Sequence, residues 1–340
     1  MIYLLTRDLH PHSGMKTFAQ GLRVVGEGRI QVVDMTRAGD IRARAGDLIV
    51  FDDSIGPDGQ DLVGRWADRG TDFAVLIHSP LLQMDVSNEW DAVMAMLDSK
   101  AVNLVLTADE KSAPLLGRAA GNSPALWLPH CVPAVPVLAP HRPRHAPRRT
   151  PLCWLPLTLP DDDPYYRHKN AVCQLAAAAL CGVSVTVATN TASPRLRRTA
   201  TLLSVPLHEK GHVPQARFGA FLADVSVGLC VSLAESFCYN AVEMMLRGVP
   251  VLFGPALRWA WRDPELVDLC GVADPGSPQE IAAQLRLLLT DTERRESAVM
   301  AGYRTATEVV TRNHTAARQL ITRLADRQYV PAAEVQRLAR

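Results

Sequence analysis

The sequence lacks the features that mark nucleic-acid-binding, membrane-spanning and secreted proteins. Its 36 Lys and Arg are balanced by 35 Asp and Glu, and a net charge of +1 predicts no polyanionic partner for the chain as a whole. No run reaches the roughly 20 apolar residues of a membrane-spanning helix. The short apolar start is followed at once by charged residues, unlike a secretory signal peptide. We therefore expect a cytoplasmic protein without an integral membrane segment.

Cysteine pairs with metal-site or redox spacing are also missing. The seven cysteines include no C-x-x-C, and several lie in apolar runs, which predicts reduced, mostly buried thiols. An acidic triplet at Asp161–Asp163 lies between two prolines, without further candidate ligands nearby, and is typical of a solvated turn. We therefore expect neither a disulfide framework nor a metal site.

The length of 340 residues suits two domains of about 150 residues, each able to bury a core. Residues 139–151 are rich in Pro and Arg and are predicted to form the interdomain linker. The predicted domains are therefore 1–138 and 152–315, followed by C-terminal helices at 316–340. A second interpretation of the basic linker, contact with an anionic acceptor such as DNA, stays open.

The most informative stretch runs from 231 to 255. An apolar run at Val225–Leu233 predicts a buried strand, Asn240 is an acceptable N-cap for a following helix, and Gly248 ends that helix before a second strand, Val249–Phe253. Strand, crossover helix and strand form a parallel βαβ unit, which binds ligands beyond the carboxyl ends of its strands. The loop Glu235–Tyr239 lies there and is the candidate site.

Two carboxylates, Glu235 and Glu243, flank the start of this helix eight positions apart. Amide groups at a helix N-terminus suit an anionic group such as a diphosphate, and the carboxylates suit sugar or ribose hydroxyls. Two glutamates alone are a weak signal. Capping and a solvated helix face are the competing explanation.

Order and context strengthen the functional interpretation, because the stretch resembles a known family. A glutamate, an aromatic residue two places on, a second glutamate and then G-x-P entering a strand resemble the retaining GT-B glycosyltransferases of the family-four-like group. The matching residues are Glu235, Phe237, Glu243 and Gly248-Val249-Pro250. Cys238 stands where Gly is common, and Asn240 where Pro is common. The resemblance implies an α/β GT-B fold, with two Rossmann-like domains facing across a cleft.

The same resemblance implies roles for residues of the second domain. Glu243 would bind the ribose hydroxyls and Glu235 the donor sugar, and the backbone of Phe237, Cys238, Tyr239 and Asn240 would face the donor. Lys169 would hold the diphosphate. The Arg usual after the first strand is missing, and Arg167 is the candidate replacement. Val213, in a G-x-V segment, would lie against the nucleobase.

The first domain contributes three further candidates. His78 follows the predicted strand Phe73–Ile77, and the resemblance implies contact with the donor sugar; a structural histidine is the alternative. Gly14 lies in the loop before a helix predicted from about Thr17 to Val24, where the resembling family brings backbone near the donor. Lys16 is either a phosphate ligand or a solvated lysine.

The predicted function is transfer of a sugar from a nucleotide sugar, a UDP- or GDP-sugar, to an acceptor hydroxyl with retention and without a metal cofactor. His78, Glu235 and Lys169 are the predicted catalytic residues. The acceptor is expected to be a glycan, a lipid-linked sugar or a small molecule. Two alternatives remain: glycosylation of hydroxymethylated bases in phage DNA, and an inactive GT-B scaffold that binds a nucleotide or glycan.

Overall fold

The computed structural model describes residues 1–6, 14–52, 63, 66–86, 90–98, 102–121, 123–133, 151–157, 164–188, 193–211, 213 and 215–328. The chain divides into two compact units. The first consists of Met1–Ala134 with Val310–Arg340, and the second is Val135–Val309. The predicted linker 139–151, apart from Pro151, and the acidic turn 161–163 lie outside the described residues.

The first unit is built on a six-stranded, fully parallel sheet of order β2-β1-β3-β4-β5-β6. The strands are β1 Ile2–Thr6, β2 Ile30–Asp34, β3 Leu48–Asp52, β4 Asp72–Ile77, β5 Leu104–Thr107 and β6 Ala125–Trp127. Every residue of β3 and β5 is buried. Because side chains alternate between the faces of a strand, complete burial means that both faces of the sheet are covered.

Among the described residues of the first unit, a 3-10 helix, Met35–Asp40, lies between β2 and β3, and α-helices lie along the other connections. The α-helices include α1 Gly14–Val25, α2 Leu81–Val86, α3 Trp90–Asp98 and α4 Ala113–Ala119. The prediction that α1 begins near Thr17 was wrong by three residues, so Gly14 and Lys16 lie in the first turn of the helix rather than in a loop. The sequence pattern placed Gly14 in a loop because glycine is typical of turns, although Met15 and Lys16 are good helix formers.

The second unit has a five-stranded parallel sheet of order β11-β10-β7-β8-β9. Its strands are β7 Leu152–Leu155, β8 Ser184–Val187, β9 Leu207–Glu209, β10 Val227–Cys230 and β11 Val251–Phe253. The chain runs outward from β7 to β9, then returns to place β10 on the other side of β7. The junction of β7 and β10 is therefore the topological switch point, where open α/β sheets bind ligands.

Helices account for most of the rest of the second unit. They are α5 Ala171–Cys181, α6 Pro194–Leu202, α7 Gln215–Leu222, α8 Tyr239–Leu246, α9 Arg258–Trp261, α10 Pro264–Cys270 and α11 Pro278–Thr290. The sequence analysis missed α6 and β9; β9 has only three residues, too few to show an alternating pattern.

The final helix, α12 Thr292–Ala325, is 34 residues long and carries the chain from the second unit into the first. In the first unit, Asn313 donates a hydrogen bond from Nδ2 to the carbonyl oxygen of His130 at 3.0 Å. His314 Nε2 lies 2.8 Å from the carbonyl oxygen of Val132. Within the described ranges, no helix is long and apolar enough to span a membrane.

Gly21 allows α1 to pack directly against the segment after β6. A Cβ atom at this position would lie 2.2 Å from the carbonyl oxygen of Cys131, and a backbone atom cannot rotate out of the way as a side chain can. We predict that Gly21→Ala lowers the free energy of unfolding by about 3 kcal/mol or more, as measured by urea denaturation.

The matched control is Gly39→Ala, because a Cβ atom at Gly39 would meet nothing within 4 Å. We expect this variant to stay within about 0.5 kcal/mol of the wild-type protein. Equal stability of the two variants would contradict the close packing of α1 on this segment.

Candidate functional site

Lys169 and Glu235 meet at the switch point of the second sheet. Lys169 ends a 3-10 helix, Pro164–Lys169, on the path from β7 to α5, and Glu235 lies in the loop between β10 and α8. Lys169 Nζ is 2.6 Å from Glu235 Oε2, and the side chains are only 16% and 8% exposed. Ser232 Oγ lies 3.4 Å from the same carboxylate oxygen. The sequence analysis named both residues but assigned them separate ligand groups, and their ion pair was not predicted.

Two amide side chains that the sequence analysis did not assign hold this loop in place. The fully buried Gln174 donates from Nε2 to the carbonyl oxygen of Lys169 at 2.7 Å and accepts from the amide of Val231 at 3.0 Å. Asn170 donates from Nδ2 to the carbonyl oxygens of Val231 and Pro275, at 3.1 and 2.6 Å. The position of Lys169 is therefore tied to the start of the Glu235 loop through the backbone.

The helix α8 begins at Tyr239, so the prediction of Asn240 as N-cap was wrong. Cys238 occupies the N-cap position with φ 62° and ψ 76°, and its side chain makes no capping hydrogen bond. This left-handed conformation favours glycine, the residue common here in the resembling family. Cys238 Sγ lies 3.8 Å from Cys230 Sγ, and burial raises the pKa of Cys230 well above its usual value. The N-terminus of α8 thus keeps its amide groups free of a side-chain cap at the cost of local strain.

Glu243 is 7% exposed and lies inside α8, so a solvated helix face is the wrong explanation for it. Its carbonyl oxygen accepts a hydrogen bond from Arg247 Nη1 at 3.1 Å. Burial lowers the pKa of Arg247, while the charge of Glu243 raises it. A carboxylate buried at this position is not an incidental surface charge, and Glu243 therefore stays a candidate ligand group.

The aromatic residues around the loop pack beneath it. Trp259 is buried and donates its indole N–H to the carbonyl oxygen of Phe237 at 2.7 Å. The Phe237 ring lies 5.9 Å from that of Trp259 and 5.2 Å, edge to face, from that of Tyr239. These contacts fix the backbone that precedes α8, because Trp259 binds the main chain and not a side chain.

Two other residues of the second unit that are predicted to bind the donor, Arg167 and Val213, lie outside the loop of Glu235. Arg167 is exposed on the 3-10 helix that ends at Lys169, and Val213 is half-buried just before α7. Gly211, two residues earlier, has φ 65°, so the predicted G-x-V segment does contain a turn that requires glycine.

In the first unit, His78 directly follows β4 and forms a buried pair with Asp52 at the end of β3. His78 Nε2 lies 2.6 Å from Asp52 Oδ1, and the residues are 5% and 4% exposed. The ring of Phe18 lies edge to face with that of His78, with 4.7 Å between the ring centroids. The centroids of the His130 and His78 rings are 6.0 Å apart. Burial and the neighbouring His78 hold the pKa of His130 well below its usual value.

Asp52 was missed by the sequence analysis, although the signal was present as an aspartate closing a buried strand. The contact between Asp52 Oδ1 and His78 Nε2 fixes the orientation of the imidazole ring. Gly14 and Lys16 of the same unit lie in the first turn of α1. Within the described residues, no group of His, Cys, Asp and Glu has an arrangement that would hold a metal ion.

The chain matches no family model and no curated protein sequence, but many solved structures share its fold. It is similar to a sucrose-phosphate synthase from Thermosynechococcus elongatus, with 13% identity, a TM-score of 0.70 and coverage of 95% of this chain and 98% of that one. It is also similar to a structure described as trehalose-6-phosphate from E. coli bound with UDP-2-fluoro glucose, with 12% identity, a TM-score of 0.65 and coverage of 97% and 99%.

A third match is the crystal structure of a GtfA/B complex, with 14% identity and a TM-score of 0.59. It covers 86% of this chain, which spans 60% of the length of that one. At these identities the matches establish the fold. The predicted α/β class with two Rossmann-like units of the GT-B type is therefore confirmed.

The strained N-cap of α8 generates a stability prediction. At a left-handed position alanine costs about 1 kcal/mol more than glycine, so we expect Cys238→Gly to be more stable than Cys238→Ala by about that amount in urea denaturation. The control is Ala241, a buried position inside α8, where Ala241→Gly should lower stability by about 1 kcal/mol. If alanine is the more stable residue at both positions, the left-handed conformation of Cys238 is wrong.

Proposed function

We propose that the protein is a glycosyltransferase that moves a sugar from a nucleotide sugar to an acceptor hydroxyl with retention and without a metal cofactor. The observation that carries the proposal is the buried Lys169–Glu235 ion pair at the switch point of the second sheet. It places a cation, a carboxylate and the uncapped N-terminus of α8 beside one another. This combination suits a nucleotide sugar, in which a diphosphate and a polyhydroxylated ring are joined.

Departure of the nucleoside diphosphate creates negative charge that must be stabilised. Lys169 and the amide groups at the start of α8 supply that stabilisation, assisted by Arg167. In the free protein, Glu235 balances the charge of Lys169, so the cation is held in place before a ligand arrives. When the diphosphate binds Lys169, Glu235 becomes available to the hydroxyls of the donor sugar.

The remaining roles follow from the resemblance and from the local geometry. Glu243 binds the ribose hydroxyls, Val213 lies against the base, and the backbone at Phe237, Cys238, Tyr239 and Asn240 contacts the donor. From the first unit, we assign His78 to the donor sugar, with Asp52 as its positioning residue. Gly14 and Lys16, in the first turn of α1, are assigned to the donor phosphates.

The donor is proposed to be a UDP- or GDP-sugar, since UDP is named in the description of one similar structure. The acceptor is proposed to be a glycan, a lipid-linked sugar or a small molecule. A DNA acceptor depended on the basic linker 139–151, of which the structure describes only Pro151, so no observation favours it.

Glu243 is expected to be needed for binding of the donor. A thermal-shift panel of UDP, GDP and their glucose and mannose conjugates should identify one donor that stabilises the wild-type protein. A ligand at ~100 times its Kd contributes about 2.7 kcal/mol. Glu243→Gln keeps the side-chain shape but weakens its acceptors, and we expect most of the shift to be lost.

Glu293→Gln is the control for that panel, because Glu293 is exposed in the first turn of α12, far along the chain from the loop. It should retain the full ligand shift. If no nucleotide or nucleotide sugar stabilises the wild-type protein, the glycosyltransferase proposal fails. The remaining hypothesis is then an inactive scaffold that binds a glycan.

The second prediction separates Lys169 from Glu235. Lys169→Gln should lower kcat by about 100-fold or more, because it removes charge stabilisation from the leaving group. It should also weaken the binding of the nucleoside diphosphate alone. Glu235→Gln should leave binding of the nucleoside diphosphate nearly unchanged and abolish the additional stabilisation that the sugar provides. Identical loss of diphosphate binding in both variants would contradict these separate roles.

A further inference from the structure

A pocket lies on the sheet of the second unit, away from the loop of Glu235. It has a volume of about 550 Å³, within the range of small-molecule sites. The first residues of three neighbouring strands, Leu152, Ser184 and Leu207, line it. These residues mark the amino edge of the parallel sheet, whereas Lys169 and Glu235 lie beyond its carboxyl edge. The pocket is therefore separate from the proposed donor site.

Thr186 supplies the observation that points to a ligand. The residue is 1% exposed and lines the pocket, yet its Oγ1 has no hydrogen-bond partner among the described residues. Trp154 pairs with Thr186 in the sheet register, is equally buried, and its indole N–H also has no partner in the described part of the chain. Buried polar groups are nearly always hydrogen-bonded, so an unpaired hydroxyl on a pocket wall indicates a site for a polar ligand.

The walls of the pocket combine an aromatic surface with polar groups. Phe221 lines it and packs edge to face against Trp154 with a ring separation of 4.7 Å. His208, Glu209 and Asp224 add an imidazole and two carboxylates. Arg197 holds the Glu209 carboxylate through two hydrogen bonds of 2.7 and 2.8 Å, so this part of the wall is fixed.

The charges of the lining residues select the class of ligand. Arg197 balances the charge of Glu209, and the charges of Asp224 and Lys210 are opposite, so these groups give no excess positive charge that would favour a phosphate or a nucleotide. Carboxylate and hydroxyl oxygens accept hydrogen bonds from ligand hydroxyls, and aromatic and leucine surfaces pack against apolar ring faces. A neutral ring that carries many hydroxyl groups satisfies both requirements.

We propose that this pocket binds a neutral carbohydrate of one or two sugar rings, either a free sugar or the end of a longer glycan. Thr186 Oγ1 and Asp224 hydrogen-bond its hydroxyls, and Phe221 packs against one ring face. The inference is independent of the proposed transferase activity, because it uses none of the residues assigned to the donor.

The test is a calorimetric titration of the full chain with maltose, sucrose, trehalose and maltoheptaose. We expect at least one of these sugars to bind, and Thr186→Val to weaken that binding by about tenfold, as expected for one lost hydrogen bond in a buried site. Valine has the shape of threonine and suits a strand, and the exchange removes no hydrogen bond to any residue that the structure describes. The melting temperature of this variant should therefore equal or exceed that of the wild-type protein. Tighter binding of maltoheptaose than of maltose identifies a glycan end, and equal affinities identify a free sugar.

Three variants make the result decisive. Thr199→Val makes the same exchange in α6, outside the pocket lining, and Glu235→Gln alters the proposed donor site; both should bind the sugar as the wild type does. Asp224→Asn, at the exposed rim, should weaken binding and serves in place of Thr186→Val if that variant does not fold. Absence of binding by all four sugars overturns the proposal. Loss of binding in Glu235→Gln but not in Thr186→Val also overturns it, because the sugar would then occupy the donor site.

Discussion

Pairing of β7 with β10 is the constraint on which the candidate site depends. These strands are about 70 residues apart in the chain, yet Cys153 pairs with Val227 and Trp154 with Gly228. The loops that follow them consequently leave the same edge of the sheet, which is how Lys169 reaches Glu235. Gly228 also leaves room for the Met244 side chain of α8, since a Cβ atom at Gly228 would be 2.4 Å from Met244 Sδ. One strand pairing thus positions both the charged pair and the helix beside it.

The sequence was sufficient for those parts of the fold that local patterns encode. Continuous apolar runs predicted the buried parallel strands, and Gly248 predicted the end of α8, where it adopts φ 75°. The start of α8 was misplaced because Cys238 adopts a left-handed conformation that its residue type does not favour. The hydrogen bond from Trp259 to the carbonyl oxygen of Phe237, directly before Cys238, joins residues 22 positions apart, and a local pattern does not record such a contact.

The candidate site was only partly predictable for a related reason. The resemblance assigned roles to Glu235, Lys169 and His78, and the structure brings Lys169 and Glu235 together at one edge of the second sheet. Their partners were not found. Gln174 lies within an apolar, alanine-rich helix, and its role depends on contact with Val231, 57 residues away. Side chains that support a site through long-range hydrogen bonds have no periodic signature in the sequence, so only the folded structure reveals them.

The division of the first unit into two chain segments has a consequence for biosynthesis. Its sheet emerges from the ribosome first, but the part of α12 that packs beside His130 and Val132 is made only after the whole second unit, Val135–Val309. The second unit has about 175 residues. At a translation rate of about 5–20 residues per second, its synthesis delays completion of the first unit by about 10–30 s. During that interval, the carbonyl oxygens of His130 and Val132 lack their partners on α12. The second unit, contiguous in the chain, is therefore the first able to complete its folding, and the nascent N-terminal sheet is the segment for which chaperones have the most time to bind.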